Sequence, residues 1–182
     1  MKFERTAIDG VYLVSSDAAA DPRGTFARIH SQEEFANRGL APVVEQTSLS
    51  RNRRRGTVRG LHYQAPPHAE AKLVCCVAGA LFDAVVDLRR GSETFGRAFW
   101  TTLTAEKGPM IYVPEGCAHG FQTIEDDSAV LYMISTRYDA GAARGIRWDD
   151  PALGIPWPER DTVHLSERDR TLPLLTEIQT PF

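Results

Sequence analysis

The stretch that decides the fold spans residues 55–77 and reads RGTVRGLHYQAPPHAEAKLVCCV. Two short runs rich in β-branched, aromatic and other apolar residues, 57–63 and 72–77, flank a segment that contains two successive prolines. Such runs, bounded by glycine and proline, are typical of β-strands. The stretch also places His62, Arg59 and Lys72 on or beside these strands, and we expect it to form part of the floor of one polar pocket.

Similar short runs recur along the rest of the chain. They cover residues 43–49, 80–88, 97–103, 109–113, 119–124 and 129–135, and Gly, Pro or Asp clusters separate most of them. Regular short strands with turn signals predict an all-β sandwich or barrel rather than βαβ units. The clearest helix is predicted over residues 31–39, with Ser31 as N-cap, Glu34 completing a capping box and Gly39 as the stop.

The length and composition predict one globular domain spanning residues 1–182. The chain is 42% hydrophobic and 25% charged, and it has no internal repeat or linker. Its formal net charge of −3 argues against broad electrostatic binding to nucleic acid or anionic lipid. No apolar run approaches the roughly 20 residues that span a bilayer, and the N-terminus lacks a signal-peptide core.

The cysteine pattern predicts a reducing compartment. The chain has three cysteines, an odd number, and Cys75 and Cys76 are adjacent. Neighbouring cysteines rarely pair with each other, so a disulfide framework is not expected. We therefore expect a cytoplasmic protein. From the net charge and the short apolar runs, we expect neither a nucleic-acid nor a membrane partner.

Two histidines are candidates for one pocket. His62 and Gln64 lie two apart in a predicted strand and so face the same side. A second segment, YVPEGCAHGF at 112–121, adds His119, which shares a face with Phe121 by the same rule. Histidines on inward faces are either satisfied core residues or pocket residues. The nearby glycines favour the pocket, because glycine permits close backbone approach.

The second segment resembles one of the two characteristic motifs of the cupin superfamily, whose members are jelly-roll β-sandwiches. The matching pattern is Pro114-x-Gly116-x-x-His119. In metal-binding cupins the other motif carries two histidines separated by one residue, with a glutamate further on. Here that place holds His62 and Gln64, with Glu70 later. Since Zn, Fe and Ni prefer imidazole-rich sites, we expect no metal, and a metal-dependent cupin enzyme is the alternative.

Four further side chains have both a structural and a functional interpretation. Lys72 is either a solvated lysine at a strand entrance or an oxyanion partner. Arg59, three residues before His62, suits a phosphate oxygen, whereas Arg53, Arg54 and Arg55 are interpreted as part of a solvated loop. Tyr132 is either a structural tyrosine or a proton donor. Asp169 reads most simply as a carboxylate at a helix start.

Taken together, eight motifs resemble the dTDP-4-dehydrorhamnose 3,5-epimerase family. They are RGLH (59–62), KLV (72–74), DLR (87–89), PEGCAHGF (114–121), LY (131–132), WDDP (148–151), IPWP (155–158) and LSERD (165–169). With DPRG at 21–24 they cover most of the chain, in order and with compatible spacing. The resemblance implies a cupin-type jelly-roll β-sandwich with a few short helices. It also implies a homodimer, no cofactor, and a nucleotide-linked 4-keto-6-deoxyhexose as substrate.

The resemblance also assigns roles to individual residues. His62 would remove the proton α to the C4 ketone, with Asp169 orienting it, and Lys72 would stabilise the enolate oxygen. Tyr132 would return a proton from the opposite face. The residues assigned to substrate binding are Arg23 and Arg59 for the diphosphate, Gln46 and His119 in the pocket, and Tyr138 against the substrate.

Two positions depart from the family pattern. Arg28 stands where the family usually has glutamate, and Ser48 where it usually has asparagine; both positions are near the nucleotide in the family. The departures leave the nucleotide and sugar open. The remaining alternatives are epimerisation of one carbon only, another nucleotide sugar, and a sugar-binding cupin without turnover.

Overall fold

The computed structural model describes residues 1–106 and 108–182, and it consists mainly of two stacked β-sheets and a small ribbon. The strands are β1 (Lys2–Arg5), β2 (Tyr12–Ser15), β3 (Ala19–Asp21), β4 (Gly24–Phe26), β5 (Gln46–Asn52), β6 (Val58–Gln64), β7 (Lys72–Ala78), β8 (Ala80–Asp87), β9 (Ala98–Thr104), β10 (Met110–Val113), β11 (Cys117–Thr123), β12 (Ser128–Ile134) and β13 (Ala143–Gly145). The six-stranded sheet has the order β1-β2-β10-β7-β12-β5, and the five-stranded sheet has the order β13-β6-β11-β8-β9. Strands β3 and β4 form the two-stranded ribbon.

The chain crosses between the two sheets at most connections from β5 to β12. Strands β5, β12, β7 and β10 are neighbours in one sheet, while β6, β11, β8 and β9 are neighbours in the other. This interleaving of antiparallel strands is that of a jelly roll. The predicted all-β sandwich of the cupin type is therefore confirmed.

Alternating side chains fill the space between the sheets. On β8 the side chains of Leu81 and Val85 join an inner cluster with Val74, Val130 and Phe121 from the facing and neighbouring strands. The alternate side chains Phe82, Ala84 and Val86 point to the outer face, where the C-terminal coil (residues 146–182) covers them. The outer face of the other sheet is partly covered by a third cluster around Phe35. Each sheet thus buries both faces over part of its area, which fixes the strand register.

A bulge in β6 determines which side chains face the interior. His62 lies opposite His119 and Arg59 lies opposite Phe121, so two residues of β6 face the single residue Gly120. Strict alternation would put Arg59 and His62 on opposite faces, and the extra residue brings them to the same one. Gly60 has φ +127°, and an added Cβ would lie 2.6 Å from the Gly120 Cα. Only glycine fits there.

The helices are few and short. The first, α1 (Gln32–Ala36), begins where predicted, and the Ser31 hydroxyl accepts a bond from the Glu34 amide at 3.4 Å. The predicted capping box is only half formed, because the Glu34 carboxylate binds the N-terminal ammonium at 3.0 Å. The second, α2 (Glu167–Arg170), is capped by Ser166. Two 3₁₀ turns, Pro151–Leu153 and Leu175–Glu177, complete the list, and none of the described helices is long and apolar enough to cross a membrane.

The C-terminal coil is held on the five-stranded sheet by two tryptophans. The Trp157 indole donates to the Trp148 carbonyl at 2.7 Å, and both rings are buried. Their ring centroids are 5.7 Å apart in an edge-to-face arrangement, which adds to the stabilisation from their buried area. This anchoring brings α2, and with it Asp169, back towards β6.

Candidate active site

A cavity of about 940 Å³ opens between the two sheets, at the end where β6 and β7 meet α2. Strands β5, β7 and β12 form one wall, and β6, β11, β13 and α2 form the other. Eight of the nine residues predicted for the site line this cavity: Gln46, Arg59, His62, Lys72, His119, Tyr132, Tyr138 and Asp169.

His62 and Asp169 form a hydrogen-bonded pair at the cavity wall. The His62 Nε2 lies 2.6 Å from the Asp169 Oδ1, and the second carboxylate oxygen accepts the Gly60 amide at 3.3 Å. A carboxylate only accepts, so the imidazole carries its proton on Nε2 and Nδ1 is the basic nitrogen. Burial raises the pKa of Asp169, but the hydrogen bond and charge of His62 outweigh it and hold that pKa below its ordinary value.

A second imidazole–carboxylate pair lies beside the first, because His119 is the cross-strand neighbour of His62. The His119 Nε2 lies 2.8 Å from the Asp83 Oδ2, and both side chains are buried. Burial raises the pKa of Asp83, against the lowering effect of His119, and its Oδ1 has no hydrogen-bond partner among the described residues. Sequence reasoning missed Asp83. The available signal was a carboxylate in the middle of a strand, between apolar neighbours on both sides.

Lys72 has a carboxylate partner as well. Its Nζ lies 2.8 Å from the Glu70 Oε1, and each side chain is about one-tenth exposed. The same Nζ is 3.5 Å from the His62 carbonyl oxygen, so the ammonium lies next to the strand that carries the candidate base. Glu70 entered the sequence argument only as a possible metal ligand. In the structure it is the ion-pair partner of Lys72.

Tyr132 faces the cavity from β12. Its ring lies edge-on to the His119 ring, with the centroids 6.1 Å apart. Burial, with a smaller contribution from the Asp83 charge, raises the pKa of Tyr132 well above its usual range, so the hydroxyl keeps its proton. Among the described residues the hydroxyl has no hydrogen-bond partner. It therefore differs from Tyr112, whose oxygen accepts the Ala41 amide.

Arg59, Gln46 and Tyr138 line the cavity, and Arg23 lies outside it. The Arg59 guanidinium donates from Nε to the Asn52 side chain at 2.8 Å, and the Gln46 side-chain oxygen accepts the Tyr138 amide at 2.5 Å. Arg23 is not in the cavity of its own chain: it lies beside the exposed β3–β4 ribbon, paired with Asp21.

The two departures from the family pattern lie in different places. Ser48 lines the cavity and is the cross-strand neighbour of Tyr132. Arg28 is exposed beyond the end of β4 and does not line the cavity.

Gln64 stands where the cupin-like pattern would have its second histidine, and its side chain binds the backbone. Its side-chain oxygen accepts the Asp139 amide at 2.6 Å, and its Nε2 donates to the carbonyls of His68 and Arg137 at 3.0 and 3.1 Å. Both ends of the amide are thus engaged by the chain itself. The residues that the structure describes contain no group of three or more His, Cys, Asp or Glu arranged to hold a metal ion.

The arrangement combines three chemical capacities in one cavity. An imidazole with a buried carboxylate partner can accept a proton, and an ammonium can stabilise an oxyanion. A phenol that remains protonated can donate a proton. These are the groups required for proton transfer at a carbon next to a carbonyl.

Comparison with known proteins points in the same direction. A sequence profile of the family described as dTDP-4-dehydrorhamnose 3,5-epimerase matches residues 5–177. A dTDP-4-dehydrorhamnose 3,5-epimerase from Sinorhizobium fredii is 40% identical over 182 residues, covering 100% of this chain and 93% of that protein. A dTDP-4-dehydrorhamnose 3-epimerase from Streptomyces niveus is 39% identical, covering 97% and 85%.

A solved structure is similar over almost the whole fold. The dTDP-6-deoxy-D-glucose-3,5-epimerase from Legionella pneumophila, in complex with dTDP-4-keto-L-rhamnose, superposes with a TM-score of 0.92 at 32% identity. The superposition covers 98% of this chain and 94% of that one.

Proposed function

This chain belongs to the dTDP-4-dehydrorhamnose 3,5-epimerase family of isomerases, and from that membership we propose that it epimerises a nucleotide-linked 4-keto-6-deoxyhexose without a cofactor. The substrate proposed is dTDP-4-dehydro-6-deoxy-D-glucose, and the product is dTDP-4-dehydro-L-rhamnose. The observation that carries the proposal is the convergence of His62, Lys72 and Tyr132 on one cavity.

The first step is removal of a carbon-bound proton by His62. Its Nδ1 takes the proton from the carbon α to the C4 ketone, and the electron pair moves onto the ketone oxygen to give an enolate. Asp169 fixes the imidazole and stabilises the imidazolium that forms. The Lys72 ammonium stabilises the enolate oxygen, and one such oxyanion donor contributes about 3–4 kcal/mol.

Inversion requires that the proton return to the opposite face. Tyr132 donates its phenolic proton to the α-carbon, the enolate collapses to the ketone, and the configuration at that carbon is inverted. The raised pKa of Tyr132 supports this role, because the phenol is protonated at neutral pH. Water then takes the proton from the His62 imidazolium and returns one to the Tyr132 phenolate, and the same cycle at the second α-carbon completes a 3,5-epimerisation.

The cavity has the cationic groups that a diphosphate needs. Arg59, Arg144 and Arg168 line it, and planar guanidinium groups match phosphate oxygens bidentately. Gln46 and Tyr138 also line the cavity. The exposed Tyr138 ring marks the mouth of the cavity, where a nucleoside would extend towards solvent. We assign the diphosphate to the arginines and the flanking groups to Gln46, His119 and Tyr138.

We further propose that the protein is a homodimer in the cytoplasm. Leu49, Leu131 and Cys75 lie in register across three strands on the outer face of the six-stranded sheet, and Leu49 is 48% exposed. Phe26, on the β3–β4 ribbon, is 82% exposed. A second copy would cover both apolar features and would bring Arg23 of the ribbon to the neighbouring cavity. Three unpaired cysteines are consistent with a reducing compartment.

Deuterium exchange tests the proposal directly. The protein is incubated in D₂O with a panel of nucleotide-linked 4-keto sugars, and NMR follows deuterium at C3 and C5. We expect exchange at both carbons of the dTDP substrate, and none with His62→Ala. Exchange at C3 alone would assign the chain to the 3-epimerases, the activity named for the Streptomyces niveus relative.

The same panel separates the remaining alternatives. Binding of the sugars without exchange in any of them would overturn the epimerase proposal in favour of a sugar-binding cupin. Metal analysis of protein purified without chelator covers the last alternative. Stoichiometric Fe, Zn or Ni, with exchange lost on its removal, would replace the cofactor-independent mechanism with a metal-dependent one.

A further inference from the structure

Two glutamines from opposite sheets hold consecutive backbone amides at the mouth of the cavity. Gln46 on β5 accepts the Tyr138 amide at 2.5 Å, and Gln64 on β6 accepts the Asp139 amide at 2.6 Å. The segment 137–139 follows β12 and has no strand or helix of its own. Its position therefore depends on side-chain anchors rather than on a sheet ladder.

Gln64 is the more heavily engaged of the two anchors. It is 2% exposed, and besides accepting the Asp139 amide it donates to the carbonyls of Arg137 and His68. The bonds to Arg137 and Asp139 bracket Tyr138, and the bond to His68 ties the segment to the loop before β7. Only an amide supplies an acceptor and two donors in this arrangement, because a carboxylate has no proton to donate.

Tyr138 depends on this anchoring for its position. Its side chain is 60% exposed, and it stacks on no aromatic ring in the part of the chain that the structure describes. An exposed side chain samples several rotamers, and ordering it on binding costs free energy. Fixing the backbone on both sides of Tyr138 restricts where the ring can go before a ligand arrives.

We propose that Gln64 is a positioning residue that presets Tyr138 at the cavity mouth for contact with the bound nucleotide sugar. The inference rests on the proposed function, since it assumes that a nucleotide sugar occupies this cavity. Gln64 acts through Tyr138 and takes no part in proton transfer. It therefore affects binding of the nucleotide portion more than the chemical step.

The chain contains a matched control. Gln122 on β11 is also fully buried, and both ends of its side-chain amide bind the backbone of Glu159. Its Nε2 donates to the Glu159 carbonyl at 2.8 Å, and its Oε1 accepts the Glu159 amide at 2.8 Å. Neither Gln122 nor Glu159 lines the cavity. Gln64→Leu and Gln122→Leu thus remove similar buried bonds, and only the first touches the Tyr138 segment.

The test compares dTDP binding by calorimetry with turnover of the 4-keto sugar. For Gln64→Leu we expect Kd for dTDP and KM to rise about three- to tenfold, with kcat within about twofold of the unsubstituted protein. For Gln122→Leu we expect thermal stability to fall while Kd and KM stay unchanged. If Gln64→Leu does not fold, the isosteric Gln64→Glu should reproduce the binding defect. Its carboxylate cannot donate to the His68 and Arg137 carbonyls and repels them.

A double-variant cycle shows whether the effect passes through Tyr138. In a Tyr138→Ala background, Gln64→Leu should raise Kd for dTDP no further, because the side chain it positions is gone. An unchanged Kd in the single variant, or an equal loss in both backgrounds, would overturn the inference. Failure of the unsubstituted protein to bind dTDP or to exchange protons would instead overturn the proposed function.

Discussion

The Nε2 of His62 lies 2.6 Å from the Oδ1 of Asp169, although 107 residues separate the two in the chain. The contact exists because the C-terminal coil packs on the five-stranded sheet, which places α2 beside the bulge in β6. Asp169 is only 4% exposed and is held by the Gly60 amide and the Ser166 cap. The carboxylate is therefore pre-oriented before any ligand binds.

Asp169→Asn tests whether this pair is an acid–base unit. An amide accepts less well than a carboxylate and does not stabilise an imidazolium, so we expect kcat to fall about 10²–10⁴-fold with little change in Kd for dTDP. Deuterium wash-in followed by NMR measures the chemical step. His30→Asn is the control, because His30 packs against Phe35 outside the cavity. A variant with unchanged wash-in would remove Asp169 from the mechanism.

Asp87, in the DLR motif, has a structural role that pH can reveal. Burial raises the pKa of this carboxyl, but bonds from Arg89, Ser92 and Thr94 outweigh it and lower the pKa to about 2. A depressed pKa contributes stability above the unfolded value of about 3.9, and this stability is lost as pH falls through the folded value. We expect Asp87→Asn to lower the free energy of unfolding by about 2 kcal/mol at pH 7.

The pH dependence separates ionisation from packing. In urea titrations, the gap between the unsubstituted protein and Asp87→Asn should shrink from about pH 4 towards pH 2, as the native carboxyl becomes protonated. Asp149→Asn, which removes an exposed pair with Arg147, should change stability by at most about 1 kcal/mol. A gap independent of pH would show that Asp87 acts through packing alone.

The strands were predictable because their patterns are local. Runs at 72–77, 80–88 and 129–135 correspond to β7, β8 and β12 with shifts of one residue or so, since alternation and turn residues act over a few positions. The bulge in β6 was not predictable in this way. It depends on Gly60 meeting Gly120 across two strands, a contact between residues 60 positions apart.

The carboxylate partners show the same limit within the site. His62, His119 and Lys72 stood out by residue type and motif, whereas Asp83 and Glu70 did not, because a carboxylate gains its role only from the cation that the fold places beside it. Arg23 was predicted from the family resemblance alone. A local sequence pattern does not specify where the β3–β4 ribbon lies relative to the cavity, so the sequence could not show that Arg23 lies outside the cavity of its own chain.

The Glu70–Lys72 pair gives a prediction about charge. Lys72→Met should lower kcat about 10²–10³-fold, because the enolate loses its oxyanion partner, and should weaken dTDP binding because Glu70 is left unpaired in an anion site. Glu70→Gln adds one net positive charge, so Kd for dTDP should fall about three- to tenfold. It should also lower kcat, because the ammonium loses the group that holds it.

The combined variant is the decisive measurement for that pair. Lys72→Met with Glu70→Gln restores the net charge of the cavity, so calorimetry should return a Kd for dTDP near that of the unsubstituted protein while turnover stays low. A Kd that remains as weak as in Lys72→Met alone would mean that Lys72 binds the nucleotide directly. The net charge of the cavity would then not control dTDP binding.

Tyr132→Phe separates proton removal from inversion. The phenol is the proposed acid on the face opposite His62, so the variant should still lose and regain protons through His62 while inversion slows about 10²-fold or more. NMR in D₂O distinguishes the two, because deuterium then enters the α-carbon of recovered substrate without product forming. Tyr112→Phe, which removes the hydroxyl that accepts the Ala41 amide outside the cavity, should leave both rates unchanged. Equal loss of exchange and inversion in Tyr132→Phe would instead place Tyr132 in the first proton transfer, and normal inversion would assign the acid to another group.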